Sequence, residues 1–197
     1  MTFKPFKHPL FDKLNTKRFI LASTSPRRIE ILEQMGFKNV EVIPSNFEEN
    51  LKKEDYEPKE VSKSKNEHEN TVILAADTVV ELMGEIYEKP INKEHQLKNL
   101  KHYRDCAQPQ HVLTAVVLLV DGEMDTMVEQ TSIYFDETLS DEFLQSYVDT
   151  EEGLGVAAGY RVQLRGALMM KKIDGDYFNC VGLPFHSTFK LMEKNIL

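Results

Sequence analysis

The tightest constraint on this chain is a pair of apolar, strand-length runs separated by a polar helical stretch. Thr71 to Val80 is β-branched and interrupted by Asp77, and His111 to Val120 is the stronger of the two. The most apolar part, Val112 to Val120, is too short to cross a bilayer. It turns at Asp121-Gly122 into a second strand, Met127 to Phe135, which is a hairpin signal. Residues 93–103 read as a polar helix leading into that hairpin. A chain with both hairpins and helical crossovers builds an α/β fold, a mixed β-sheet with flanking helices.

The remaining elements fit that frame. Phe19 to Ser23 reads as a short strand, followed at once by Ser25-Pro26, a helix start with proline at the first helical position. Ile29, Leu32 and Met35 share one face, and Gly36 supplies the stop. Val40 to Ile43 predicts a second strand, and Gly84 to Pro90 a return strand after a tight turn. Residues 48–70 hold 13 charged and only three apolar side chains, the composition of a solvated helix or flap. Leu139 to Val148 predicts an amphipathic helix with Leu139, Phe143 and Tyr147 on its stripe. A glycine-rich stretch, 153–166, precedes a strand over Ala167 to Ile173 and a hairpin turn at Asp174-Gly175-Asp176. Gly182-Leu-Pro184 opens a closing helix with Phe185, Phe189 and Met192 on one face. The first 17 residues show no period and read as an N-terminal extension to a single domain over 18–197.

Charge and cysteine content narrow the function. Lys and Arg number 24 against 32 Asp and Glu, a net of −8, which argues against nucleic acid as the main partner. Residues 1–47 nevertheless carry eight basic and four acidic groups, so a local anion site is expected in the opening segment. Cys106 and Cys180 form no ligand cluster and read as free thiols. The N-terminus lacks the apolar core of a signal peptide. The expectation is a cytoplasmic protein without a membrane partner.

The most informative stretch for chemistry is Ala22-Ser-Thr-Ser-Pro-Arg-Arg28. A strand delivers the chain to a helix N-terminus, where unpaired amides and the dipole favour an anion. Arg27 and Arg28 occupy the first turn, where each cation is disfavoured by ~0.3–1 kcal/mol. A phosphate group between them and the hydroxyls of Ser23, Thr24 and Ser25 would reverse that sign. The competing explanation is a surface pair matched to Glu30 or Glu33. Asp77 ends the apolar run 72–76 and either binds, reacts or caps a turn. An aspartyl-nucleophile phosphatase would need a second Asp two residues on, where Val79 stands. Lys89, before Pro90, has an extended backbone and otherwise reads as surface. Glu49 and Lys65 lie in the charge run, and Gln163 in the glycine-rich stretch. None of the six histidines pairs at metal-ligand spacing.

Taken in order, the segments resemble the Maf family of nucleoside triphosphate pyrophosphatases. They are Leu21-Ala-Ser-Thr-Ser-Pro-Arg-Arg28, Pro44-Ser45 with Glu48-Glu49, Ser62 to Lys65, Ala75-Ala-Asp-Thr78 and Glu88-Lys-Pro90. Val112-Leu-Thr114, Glu129-Gln-Thr131, Tyr160 to Gln163 and Gly175-Asp-Tyr through Gly182-Leu-Pro184 continue the series. The resemblance implies two lobes around a cleft, in a fold related to inosine triphosphatases. It implies a hydrolase that splits a nucleoside triphosphate substrate between the α and β phosphorus atoms with Mg²⁺ or Mn²⁺. Carried over, Asp77 is the general base or a metal ligand, and Glu49 helps with metal or water. Arg28, Lys65 and Lys89 hold the triphosphate, with Ser23 in the same binding turn. Arg27, Thr78 and Gln163 match positions that separate substrate classes; they are Arg, Thr and Gln in the dTTP/UTP branch. In the 7-methylguanosine triphosphate branch they resemble Trp, Gln and Glu. Relatives also suggest a homodimer.

The chain departs from the family pattern around Gln163. Gly155-Val156 stand where an Asp-Lys pair is usual, and Arg161 and Leu164 replace glycines. The middle loop over 103–110 is also altered and slightly longer. A nucleotide-binding regulator with weakened turnover is therefore the alternative to an active enzyme.

Overall fold

The structure, a computed structural model, describes residues 6–44 and 70–197. Seven strands form a mixed sheet in the order β2-β1-β3-β5-β6-β7, with β4 paired to β3. The strands are β1 (Arg18–Leu21), β2 (Glu41–Val42), β3 (Thr71–Leu82), β4 (Glu85–Ile86), β5 (Gln110–Val120), β6 (Glu123–Phe135) and β7 (Met170–Asp174). The helices are α1 (Pro9–Leu14), α2 (Pro26–Met35), α3 (Lys93–Asp105), α4 (Asp141–Asp149), α5 (Tyr177–Val181) and α6 (Phe185–Ile196). β1 runs parallel to β2 and β3, whereas β4 is antiparallel to β3 and β7 to β6. Parallel neighbours require helical crossovers and antiparallel ones allow hairpins, so both connection types predicted above are present.

The chain divides into two compact units, and β3, β5 and β6 each pass from one into the other. In the first unit β1, α2 and the opening half of β3 bury Phe19, Leu21, Ile31, Leu32, Val72 and Leu74. An aromatic cluster of Phe11, Phe37 and Phe189, with the His8 ring, closes it. The second unit packs α3 and α4 with β6 around Leu82, Leu100, Tyr103, Ile133, Phe135 and Leu144. Tyr103 contacts Phe135 and Tyr160 edge to face, with centroids 5.5 and 6.2 Å apart, the arrangement favoured by ring quadrupoles.

Several local expectations change. The aperiodic opening segment contains α1, whose Leu10 and Leu14 are buried. Six residues are too few to display a helical period, and the helix is held by Pro9 and by the His8 ring, which accepts from the Leu10 amide. Asp174-Gly175-Asp176 does not turn a hairpin. β7 ends there and Asp176 caps α5, its carboxylate accepting from the Phe178 and Asn179 amides. The segment Arg165–Met169 is a 3₁₀ turn, so β7 starts later than the apolar pattern suggests. On α4 the buried face is Leu144, Tyr147 and Val148; Leu139 precedes the helix and Phe143 is exposed. Two i,i+4 stripes are open to that sequence, and the Ser140 cap starts the helix after Leu139, which leaves Leu139 outside it. On α6 the buried stripe is Thr188, Leu191, Met192 and Ile196, displaced from the Phe185–Phe189 line. Of the charge run 48–70, residues 48–69, with Glu49 and Lys65, lie outside the described residues.

Candidate active site

In the first unit, the parallel pairing of β1 with β3 brings the Ala22 amide to the Leu74 carbonyl at 2.8 Å. The strand therefore ends beside a residue three positions before Asp77 on the neighbouring strand. Past Ala22 the chain must turn, and Ser23 organises the turn from a buried position. Its Oγ accepts from the Ser25 amide at 3.2 Å and from Arg28 Nη1 at 3.0 Å. Ser25 is the N-cap of α2 but makes no side-chain cap bond, and Pro26 follows at the first helical position. Ser25 is thus left to hold the turn through its backbone, and the hydroxyl of Ser23 does the local binding. The first turn of α2 contains no acidic residue, while Arg27 and Arg28 are half-buried in it. Cations at this end oppose the helix dipole, and the amides of a helix opening favour an anion.

In the second unit, Asp77 is exposed near the middle of β3 rather than at its end. Its Oδ1 accepts from the Thr78 amide at 2.9 Å. The Thr78 hydroxyl lies 3.0 Å from Thr114 Oγ1 on β5 and 3.4 Å from the Gly182 carbonyl that ends α5. Thr114 is fully buried. Sequence reasoning missed its contact with Thr78, because the partner lies 36 residues away on another strand.

Lys89 and Gln163 belong to a second pair of segments in the same unit. The Ala158 amide donates to the carbonyls of Tyr87 and Glu88, at 3.1 and 3.2 Å. Gly159 lies against buried Pro90 with φ of +80°, and a Cβ there would meet Pro90 at 3.3 Å. The Gly159 carbonyl accepts from Gln96 Nε2 at 2.7 Å. Lys89 is therefore an exposed side chain on a backbone fixed at both neighbours. Tyr160 donates to Gln110 Oε1, and burial pushes its phenol well above the usual tyrosine range, so it stays a neutral donor.

Gln163 itself is half-buried between buried Val162 and exposed Leu164. Here the departures from the family pattern acquire a structural role. Arg161 Nε donates to the Glu152 carbonyl at 2.7 Å, and its amide to the Tyr147 hydroxyl at 3.1 Å. The Glu152 carboxylate accepts from the Gly166 amide at 3.1 Å. Arg161 and Glu152 thus brace the loop that carries Gln163.

The metal donor set is sparse. Among the described residues no three His, Cys, Asp or Glu side chains gather where a metal ion could be held. Asp77 is an accessible carboxylate, and Glu49 lies outside the described residues. A hard divalent cation that keeps several waters and takes one or two carboxylates plus substrate phosphates fits such a set. No helix among the described residues is long and apolar enough to cross a membrane.

Comparison with known proteins agrees with the residue pattern. A dTTP/UTP pyrophosphatase of Schizosaccharomyces pombe is 41% identical over 92% of this chain and 85% of its own length. One from Saccharomyces cerevisiae is 38% identical over 87% of each chain. One from Thermosipho africanus is 37% identical over 89% of this chain and 92% of its own. The family model described as Maf-like protein matches residues 18–195, spanning both units and every described site residue, and the chain belongs to the Maf family.

Proposed function

We propose that this chain is a nucleoside triphosphate pyrophosphatase acting on dTTP and UTP, releasing the nucleoside monophosphate and pyrophosphate. The observation that carries the reading is the turn at Ser23, where one buried hydroxyl accepts from the Arg28 guanidinium at the opening of α2. Relatives named dTTP/UTP pyrophosphatases at 37–41% identity support the substrate class.

In this reading Arg28, Lys65 and Lys89 bind the triphosphate together with the Ser23 turn, offsetting charge that builds up as the phosphoanhydride breaks. A water oxygen forms the new bond to phosphorus while the bridging oxygen leaves with pyrophosphate, and the proton passes to Asp77. Mg²⁺ or Mn²⁺, held by Asp77 and Glu49, would supply acidification of that water and further charge neutralisation. Arg27, Thr78 and Gln163 select the base. A cytoplasmic location and a homodimer, which light scattering would test, belong to the same proposal.

The test is to incubate the purified protein with dTTP, UTP, CTP and GTP in Mg²⁺ or Mn²⁺ and follow both products. Pyrophosphate and monophosphate in equal amounts, fastest from dTTP and UTP, are expected. Tight binding of nucleotide without product would instead support a regulator.

A further inference from the structure

We infer that Thr114 is a positioning residue that sets substrate discrimination by holding the Thr78 hydroxyl in one orientation; the inference rests on the function proposed above. Along β5 the buried positions alternate as Val112, Thr114, Val116 and Leu118. Packing alone would be served by valine, which is isosteric with threonine, yet this fully buried position carries a hydroxyl. A buried hydroxyl must be hydrogen-bonded, and Thr114 Oγ1 has Thr78 Oγ1 at 3.0 Å.

Either hydroxyl can be the donor across the pair. The Gly182 carbonyl, 3.4 Å from Thr78 Oγ1, can only accept. With the Thr78 proton directed there, Thr114 is the donor to Thr78 Oγ1. The χ1 wells of a β-branched residue are few, and a donor on one side with an acceptor on the other selects one of them.

The frame around this pair is itself fixed. Buried Asn179 donates from Nδ2 to the Val112 carbonyl on β5 and to Thr131 Oγ1, both at 3.0 Å. The Gly182 amide donates to the Phe178 carbonyl at 3.0 Å, so the acceptor for Thr78 is anchored to α5. Thr114 has no exposed surface from which to touch a nucleotide, and it acts through Thr78 alone.

The test compares wild type with Thr114→Val, which removes the hydroxyl at constant shape, and Thr114→Ser, which keeps it. Thr114→Val should lower kcat/KM for UTP relative to CTP and GTP by about threefold to tenfold, the scale of one hydrogen bond. Thr114→Ser should restore the ratio. Three-bond couplings to the Thr78 methyl should report a single χ1 rotamer in wild type and Thr114→Ser, and averaging in Thr114→Val. Equal losses for all three nucleotides, or an unchanged Thr78 rotamer, would overturn the inference. Thr114→Ala provides the same comparison if the valine variant is insoluble. A wild-type protein that hydrolyses none of the nucleotides refutes the proposed function instead, and the couplings still decide whether Thr114 orients Thr78.

Discussion

Arg28 Nη1 lies 3.0 Å from the buried hydroxyl oxygen of Ser23, five residues earlier and on the far side of the turn that opens α2. The same oxygen accepts from the Ser25 amide, so one short side chain fixes both the path of the turn and the direction of the guanidinium.

Arg28→Gln should separate function from stability. Loss of a charge-assisted contact to phosphate costs about 1.5–3 kcal/mol, so kcat/KM for UTP should fall roughly 10- to 150-fold. The Ser23 contact is a bond to a neutral hydroxyl that glutamine can also make, so the melting temperature of the unliganded protein should change by only about a few degrees. A large drop in melting temperature with little kinetic change would make Arg28 a structural residue.

Arg27→Trp addresses base selection. Pyrimidine nucleotides should lose more kcat/KM than purine nucleotides, measured side by side for UTP, dTTP and GTP. Equal losses would assign Arg27 to the phosphates alone.

Asp176 is expected to dominate the stability of its corner. One carboxylate oxygen accepts from the Phe178 and Asn179 amides of α5, and the other from the Phe185 amide that opens α6 at 3.0 Å. Asp176→Ala leaves these helix-opening donors without their cap and should cost about 1–3 kcal/mol in urea unfolding. Asp176→Asn, which keeps one acceptor oxygen, should cost less.

The Cys180 thiol is pushed up to about 12 by burial, with the Asp176 carboxylate adding in the same direction, from an ordinary 9.0. Between those values the unfolded thiol ionises while the folded one stays protonated, so this group favours unfolding as pH rises through that window. Below pH 9 its contribution is flat. In the folded protein a thiol reagent at pH 8 should therefore label Cys106 ahead of Cys180, with Cys180 reacting fully only after denaturation.

The parts of this fold visible in the sequence are those with local punctuation. Pro26 and Gly36 bracket α2, and Gly36 adopts φ of +99° as a C-cap glycine should. Asp121 and Gly122 both have positive φ, the signature of the tight turn joining β5 to β6. By contrast, α1 and α5 are shorter than two turns and leave no periodic trace; their caps, His8 and Asp176, show only once the backbone is seen. The same divide holds for the site. The Ser23–Arg28 turn is legible because a hydroxyl-rich strand end running into Pro-Arg-Arg is a local pattern. The Thr78–Thr114 pair is not, since strand register across 36 residues is carried by the whole sheet.

The most direct measurement is the rate of pyrophosphate release from UTP by wild type and by Asp77→Asn, with folding checked by melting temperature. Asp77 is exposed, so the variant should fold normally. The account predicts turnover lower by about 10²–10⁴ at an unchanged melting temperature. A folded Asp77→Asn protein that releases pyrophosphate at the wild-type rate would contradict it.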